Sequence, residues 1–179
     1  MRNGRLTLFA VVLALMLASH MSAAAENLPI RKTPIPQTTG GVPHVQIGVQ
    51  AVPELSEMLL KRVDELPGVT LGATRVSLPG AVGFQLEADL ALAHPEVIVG
   101  GREFAHLHPD GSLHASLEPK LALAAIQAGW AVAHPWSTER EGWQGFVMIY
   151  TPATLDELGV VIQLVEQSYS FVTGRDLEK

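Results

Sequence analysis

Between residues 52 and 68 the apolar positions of VPELSEMLLKRVDELPG recur at three-and-four spacing, with Leu55, Met58, Leu59, Val63 and Leu66 on one stripe beside Arg62. That period predicts an amphipathic helix, with Pro53 early in it and Pro67-Gly68 as its stop. EPKLALAAIQAGW predicts a second helix. It opens on Pro119 and closes at Gly129, matching the preference for proline at a first helical position and glycine just past the end. TLDELGVVIQLVEQSYSFVTG predicts a third, with Leu158, Val161, Ile162, Val165 and Tyr169 on one face and Thr154 and Glu157 placed as a capping box. These stripes are the candidate core.

Strand-like runs lie between the helices. TRVSL and AVGFQL flank Pro79-Gly80 and predict a hairpin, FVMIY is a β-rich run ending at Thr151-Pro152, and WAVAHPW predicts a shorter strand. The element order offers few right-handed crossovers. The expected fold is therefore α+β: a mostly antiparallel sheet with about three helices packed mainly on one face.

GREFAHLHPDGSLHASL, residues 101 to 117, places three histidines around a Pro-Asp-Gly turn. Pro109 is preset for the second turn position, Asp110 follows, and Gly111 takes the left-handed position of a bulged turn. His108 then lies opposite Ser112, Leu107 opposite Leu113 and His106 opposite His114. Because strand side chains alternate, Phe104, His106, His108, Ser112, His114 and Ser116 are expected on one face, with Ala105, Leu107, Leu113, Ala115 and Leu117 on the other. One face is wholly apolar and the other carries every histidine of the hairpin, which supports this register over a two-residue turn that would mix them.

Cross-strand and i, i+2 neighbours stand about 5–7 Å apart at Cβ. That spacing suits His106, His108 and His114 to a divalent metal such as zinc, which takes three protein ligands and keeps an open position in catalytic sites. The same residues also suit metal-free acid–base or ligand-binding work, or a polar strand face in water. Two further ligand-binding candidates are His134, as an added nitrogen, and Arg102, as an anion clamp. Gly83 and Ala81 offer a small face that makes room for a pocket, and Trp136, Trp143 and Tyr150 are candidate walls. Glu103 has the parity of the apolar face and is expected at the strand's exposed start; His44 and His94 have no place in the hairpin. Ser112, His114 and Asp110 lack the strand-to-helix elbow of a nucleophilic triad, and no glycine pair has phosphate-loop spacing.

The N-terminus changes the setting. Arg2 and Arg5, the apolar run from Leu6 to Ala18, and Ala23-x-Ala25 predict a signal peptide over residues 1–25 and export to the periplasm or medium. Residues 26–43, with four prolines from Pro29 to Pro43, are expected to form an extended linker, 44–175 a single domain and 176–179 a tail. Loss of Arg2 and Arg5 takes the formal charge from −6 to −8. An acidic chain without a basic run argues against nucleic acid, and cleavage would leave no stable membrane anchor. With no cysteine in the chain, disulfides and thiolate metal sites are excluded.

The hairpin, followed by AGWAVAHPW, FVMIYTP and a last helix ending SYSFVTGR, resembles the luciferase-domain family of bacterial and fungal proteins, over roughly His44 to Arg175. The resemblance implies a single-domain fold and brings no catalytic residue with it. The expected function is an exported small-molecule-binding domain or enzyme using the histidine-lined sheet face, with a divalent metal as candidate cofactor. The rival expectation is a non-catalytic envelope or secreted interaction domain.

Overall fold

The structure is a computed structural model and describes residues 28–177. Residues 1–25, the expected signal peptide, lie outside the described residues. The chain runs α1 (Pro53–Asp64), β1 (Val69–Ala73), β2 (Val82–Leu86), β3 (Glu103–Leu107), β4 (Leu113–Ser116), α2 (Pro119–Gln127), β5 (Ala131–Ala133), β6 (Phe146–Ile149) and α3 (Leu155–Thr173). The strands form one sheet in the order β1-β2-β3-β4-β6-β5, and every pairing is antiparallel. The fold is α+β, as the element order predicted.

The core fills the space between the helices and one face of the sheet. Leu55, Leu59 and Val63 of α1 and Leu158, Val161, Leu164, Val165 and Tyr169 of α3 meet Leu107, Leu113 and Ala115 of the hairpin. Full burial of each large aliphatic group contributes about 1.5–3 kcal/mol. Met58 leaves the expected stripe and is 49% exposed, while Arg62 points outward to Glu166, at 2.8 Å. Helix α2 begins on Glu118, whose carboxylate accepts from the Lys120 and Leu121 N–H groups. Helix α3 begins on Thr154, whose hydroxyl accepts from the Glu157 N–H. The second half of that capping box is displaced. The Glu157 carboxylate accepts from the Ala153 N–H at 2.8 Å and from the Thr33 hydroxyl at 2.6 Å, and pairs with Arg31 at 3.2 Å.

One expected element is corrected. TRVSL is not a strand: β1 is the preceding VTLGA, and Ala73 pairs with Val82 across a loop of residues 74–81. The Arg75 N–H and the Thr74 hydroxyl in that loop donate to Glu103, so this stretch spends its polar groups away from a ladder. The linker is extended but docked from residue 28 onward. The Arg31 N–H donates to the Ala128 carbonyl and the Trp130 indole to the Pro29 carbonyl. Thr38 bridges Gln46, which exchanges hydrogen bonds with Thr151. Arg31 is itself buried, its guanidinium 5.4 Å from the Trp130 ring. This strap lies on the domain and delivers residues 42–45 to the sheet face opposite the helices.

Candidate functional site

The hairpin closes as its turn chemistry requires. Gly111 has φ +84°, its N–H donates to the His108 carbonyl, and the His108 N–H donates to the Ser112 carbonyl. Leu107 pairs with Leu113, His106 with His114 and Ala105 with Ala115. His106, His108 and His114 share the face away from the helices, with ring centroids 4.6–5.1 Å apart. All three are buried. Each offers a nitrogen within 4.8 Å of the other two, so the group can hold a metal ion.

Two strand residues invert the expected parity. Gln85 of β2 pairs with Glu103 and Phe84 with Ala105, which leaves Phe104 as an extra residue on β3. Such a bulge turns the side chains before it to the opposite face. Phe104 therefore joins the helix-side core against Tyr169 and Phe84, leaving the histidine face where alternation put it. Glu103, expected at an exposed start, is 2% exposed and its Oε1 lies 2.9 Å from His106 Nδ1. Glu103 also accepts from the Thr74 hydroxyl, the Arg75 N–H and Gln85 Nε2. Gly83 pairs with His106, and a Cβ there would stand 2.7 Å from a Glu103 oxygen. The space left by the small residue is filled by that carboxylate.

The strap supplies a histidine that spacing did not reveal. His44 Nδ1 lies 3.3 Å from His114 Nε2, with the two rings stacked. His134 also lies against the cluster, its ring 4.7 Å from that of His114. His44, His114 and His134 form a second group whose nitrogens approach within 4.8 Å. Arg102 does not join: its guanidinium donates to the Leu86 and Leu90 carbonyls. Trp136 lines the cavity above the imidazoles. Trp143 stands behind it against Phe146, and Tyr150 lies beside Arg31 instead. His94 stacks on Phe171 and bonds Glu96, apart from the cluster. The one sequence signal for His44 was its residue type; for Glu103 it was Gly83 on the neighbouring strand β2.

Neighbouring acceptors fix which ring nitrogens carry protons. Burial raises the Glu103 carboxyl, but hydrogen bonds from His106, the Arg75 N–H and Thr74 more than offset this, so it ionises below its usual range. His106 Nδ1–H therefore donates to Glu103, and Nε2 is the nitrogen turned towards His114. The Ser112 hydroxyl donates to Asp110 at 2.7 Å and accepts from His108 Nδ1 at 2.9 Å, which leaves His108 Nε2 with a lone pair. His134 Nδ1 accepts from the Trp136 N–H, so its proton sits on Nε2. Burial pushes the His108 imidazole down to about 4 and His134 to about 3, with neighbouring imidazoles adding to the effect. His114 falls well below the ordinary value and His44 below it, both through burial. These four imidazoles are neutral at pH 7.

Residues 101–168 match the luciferase domain family. No curated protein and no solved structure matches the chain. The luciferase-domain match spans Glu103, the hairpin and His134, while His44 comes from the strap outside it. His106 Nε2 and His114 Nδ1 are 3.1 Å apart. That separation serves a hydrogen bond and is also close to the edge of a tetrahedral site, where two nitrogens about 2.0–2.1 Å from one ion stand roughly 3.3–3.4 Å apart. The site can thus present lone pairs to a cation or to a substrate proton.

Proposed function

We propose that this is an exported small-molecule-binding domain or enzyme whose luciferase-domain segment holds a divalent metal on His106, His108 and His114. The observation that carries this is the pair of buried acceptors behind the triad. Glu103 accepts a hydrogen bond from His106 Nδ1–H, and the Asp110-oriented Ser112 hydroxyl accepts one from His108 Nδ1–H. Metal-binding imidazoles are held in this way, the second nitrogen donating to a carboxylate or other acceptor. Neutral imidazoles are also the ligand form, and three nitrogens suit zinc, copper or nickel. When bound, such an ion would acidify a coordinated water and polarise an oxygen of the substrate. His134 keeps an Nε2–H donor on the cavity wall for that substrate.

Elemental analysis of the mature protein, purified without chelator or affinity tag, tests the metal directly. Zinc or nickel at a hundredfold excess over its dissociation constant should stabilise the fold by about 2.7 kcal/mol relative to chelator. His106→Ala, His108→Ala and His114→Ala should each abolish that shift. Protein that carries no metal and shows no shift with zinc, manganese or nickel would refute the reading. Export is tested by intact mass: a product beginning at Met1 instead of near Glu26 would refute it.

A further inference from the structure

The cavity over the imidazoles is about 220 Å³, below the ~300–1,000 Å³ of sites for drug-sized ligands. Its sides are Val45 of the strap, Val76 and Leu78 of the loop 74–81, and Val99; among the described residues no Lys, Arg, Asp or Glu lines it. All four side residues are half-buried, so an apolar ligand would remove their remaining surface from water. The charges lie outside this lining. Glu103 is buried beneath His106, and Asp110 is half-buried and reaches His108 only through the Ser112 hydroxyl. Arg140 is exposed, stacked between Trp136 at 4.1 Å and Trp143 at 4.5 Å.

A divalent ion on three neutral imidazoles is then offset within the buried site by one carboxylate, with one positive charge left over. An uncompensated charge in such surroundings is costly, and one singly charged anion neutralises it. Resting on the metal reading above, we infer that the site takes a small organic monoacid, its carboxylate completing the coordination of the metal and its short apolar body lying against Val45, Val76, Leu78 and Val99. The Nε2–H of His134 is available to the second carboxylate oxygen. Dianions overshoot the charge, and neutral analogues leave it unbalanced.

Isothermal titration of the zinc-loaded mature protein with acetate, butyrate and hexanoate, and with butyramide and hexanamide, tests this. Affinity for the acids should rise about fourfold per added methylene until the cavity is full. The amides should bind at least tenfold more weakly than their acids, and malonate no better than acetate. Leu78→Asp, which adds a carboxylate to the wall, should retain one zinc and lose hexanoate binding at least tenfold, whereas Leu78→Met should keep both. Amides binding as tightly as acids, no chain-length dependence, or a preference for malonate in zinc-loaded protein would overturn the inference and leave the metal centre standing. Failure to take up zinc, nickel or manganese would overturn both.

Discussion

Replacing Gly111 with alanine should destabilise the domain by about 2–5 kcal/mol, through two separate effects. The first is conformational. Gly111 sits at φ +84°, and a residue with a Cβ in the left-handed region loses roughly 1–2 kcal/mol. The second is steric: the new Cβ would lie 2.8 Å from Thr151 Cγ2, 3.1 Å from Ala51 Cβ and 3.2 Å from Ala51 Cα. Ala51 Cα is backbone and has no rotamer to yield, and the Thr151 hydroxyl donates to the Asp110 carbonyl at 2.7 Å. Moving Thr151 therefore loosens the turn as well. Overpacking of this kind costs about 1–3 kcal/mol. In a domain of this size 1 kcal/mol corresponds to roughly 2–4 °C, so thermal unfolding should fall by about 4–20 °C. Gly159→Ala is the matched control: the position lies in helix α3, without positive φ, and among the described residues an added Cβ meets nothing within 4 Å. There alanine should stabilise by about 0.5–1 kcal/mol through helix propensity. Calorimetry of the two variants beside the wild type makes the comparison. If Gly111→Ala stays within 0.5 kcal/mol of wild type while Gly159→Ala behaves as expected, the bulged turn is wrong, and with it the common face of His106, His108 and His114.

Glu103→Gln keeps the shape but turns an oxygen that accepts from two donors into a donor itself; metal affinity should fall about 10–100-fold, measured by titration, and an unchanged affinity would remove Glu103 from the site. Gly83→Ala should push the same carboxylate off His106 without touching a ligand, because its Cβ would stand 2.7 Å from Glu103 Oε2; loss of the His106 Nδ1 proton resonance in NMR checks this, and a preserved resonance counts against it. The metal-free protein should lose stability as pH falls from about 6.5 towards 4 and then 3. His108 and His134 stay neutral down to about 4 and about 3 when folded, while unfolded histidines bind protons near 6.5. Over that window the unfolded chain holds more protons, so the free energy of unfolding drops with pH. Denaturant titrations across it provide the measurement, and stability that is flat or rises on acidification contradicts the buried, neutral cluster. For the same reason protons should compete with metal at the folded-state values of these groups, lower than for exposed histidines.

The three helices, the antiparallel sheet and the register of the histidine hairpin were legible in the chain because each rests on short-range chemistry. Leu55, Leu59 and Val63 recur within one helix, Pro109-Asp110-Gly111 sets its own turn, and alternation over residues 105–108 and 112–115 assigns faces without reference to anything distant. Alternation holds while the pleat is unbroken. The bulge at Phe104 breaks it, and whether a strand bulges is decided by its partner: Gly83 in β2 leaves room for the Glu103 carboxylate, while the Tyr169 and Phe84 rings receive Phe104. A window of sequence around Glu103 holds none of those residues. The same reason hid His44, whose partner His114 is 70 positions away and which reaches the sheet because Arg31, Gln46 and the Pro29 carbonyl anchor the strap. Arg102 failed in the opposite sense, since the carbonyls that capture it belong to Leu86 and Leu90. The local code placed three imidazoles on one face; long-range packing chose the carboxylate, the fourth and fifth imidazoles and the apolar walls that surround them.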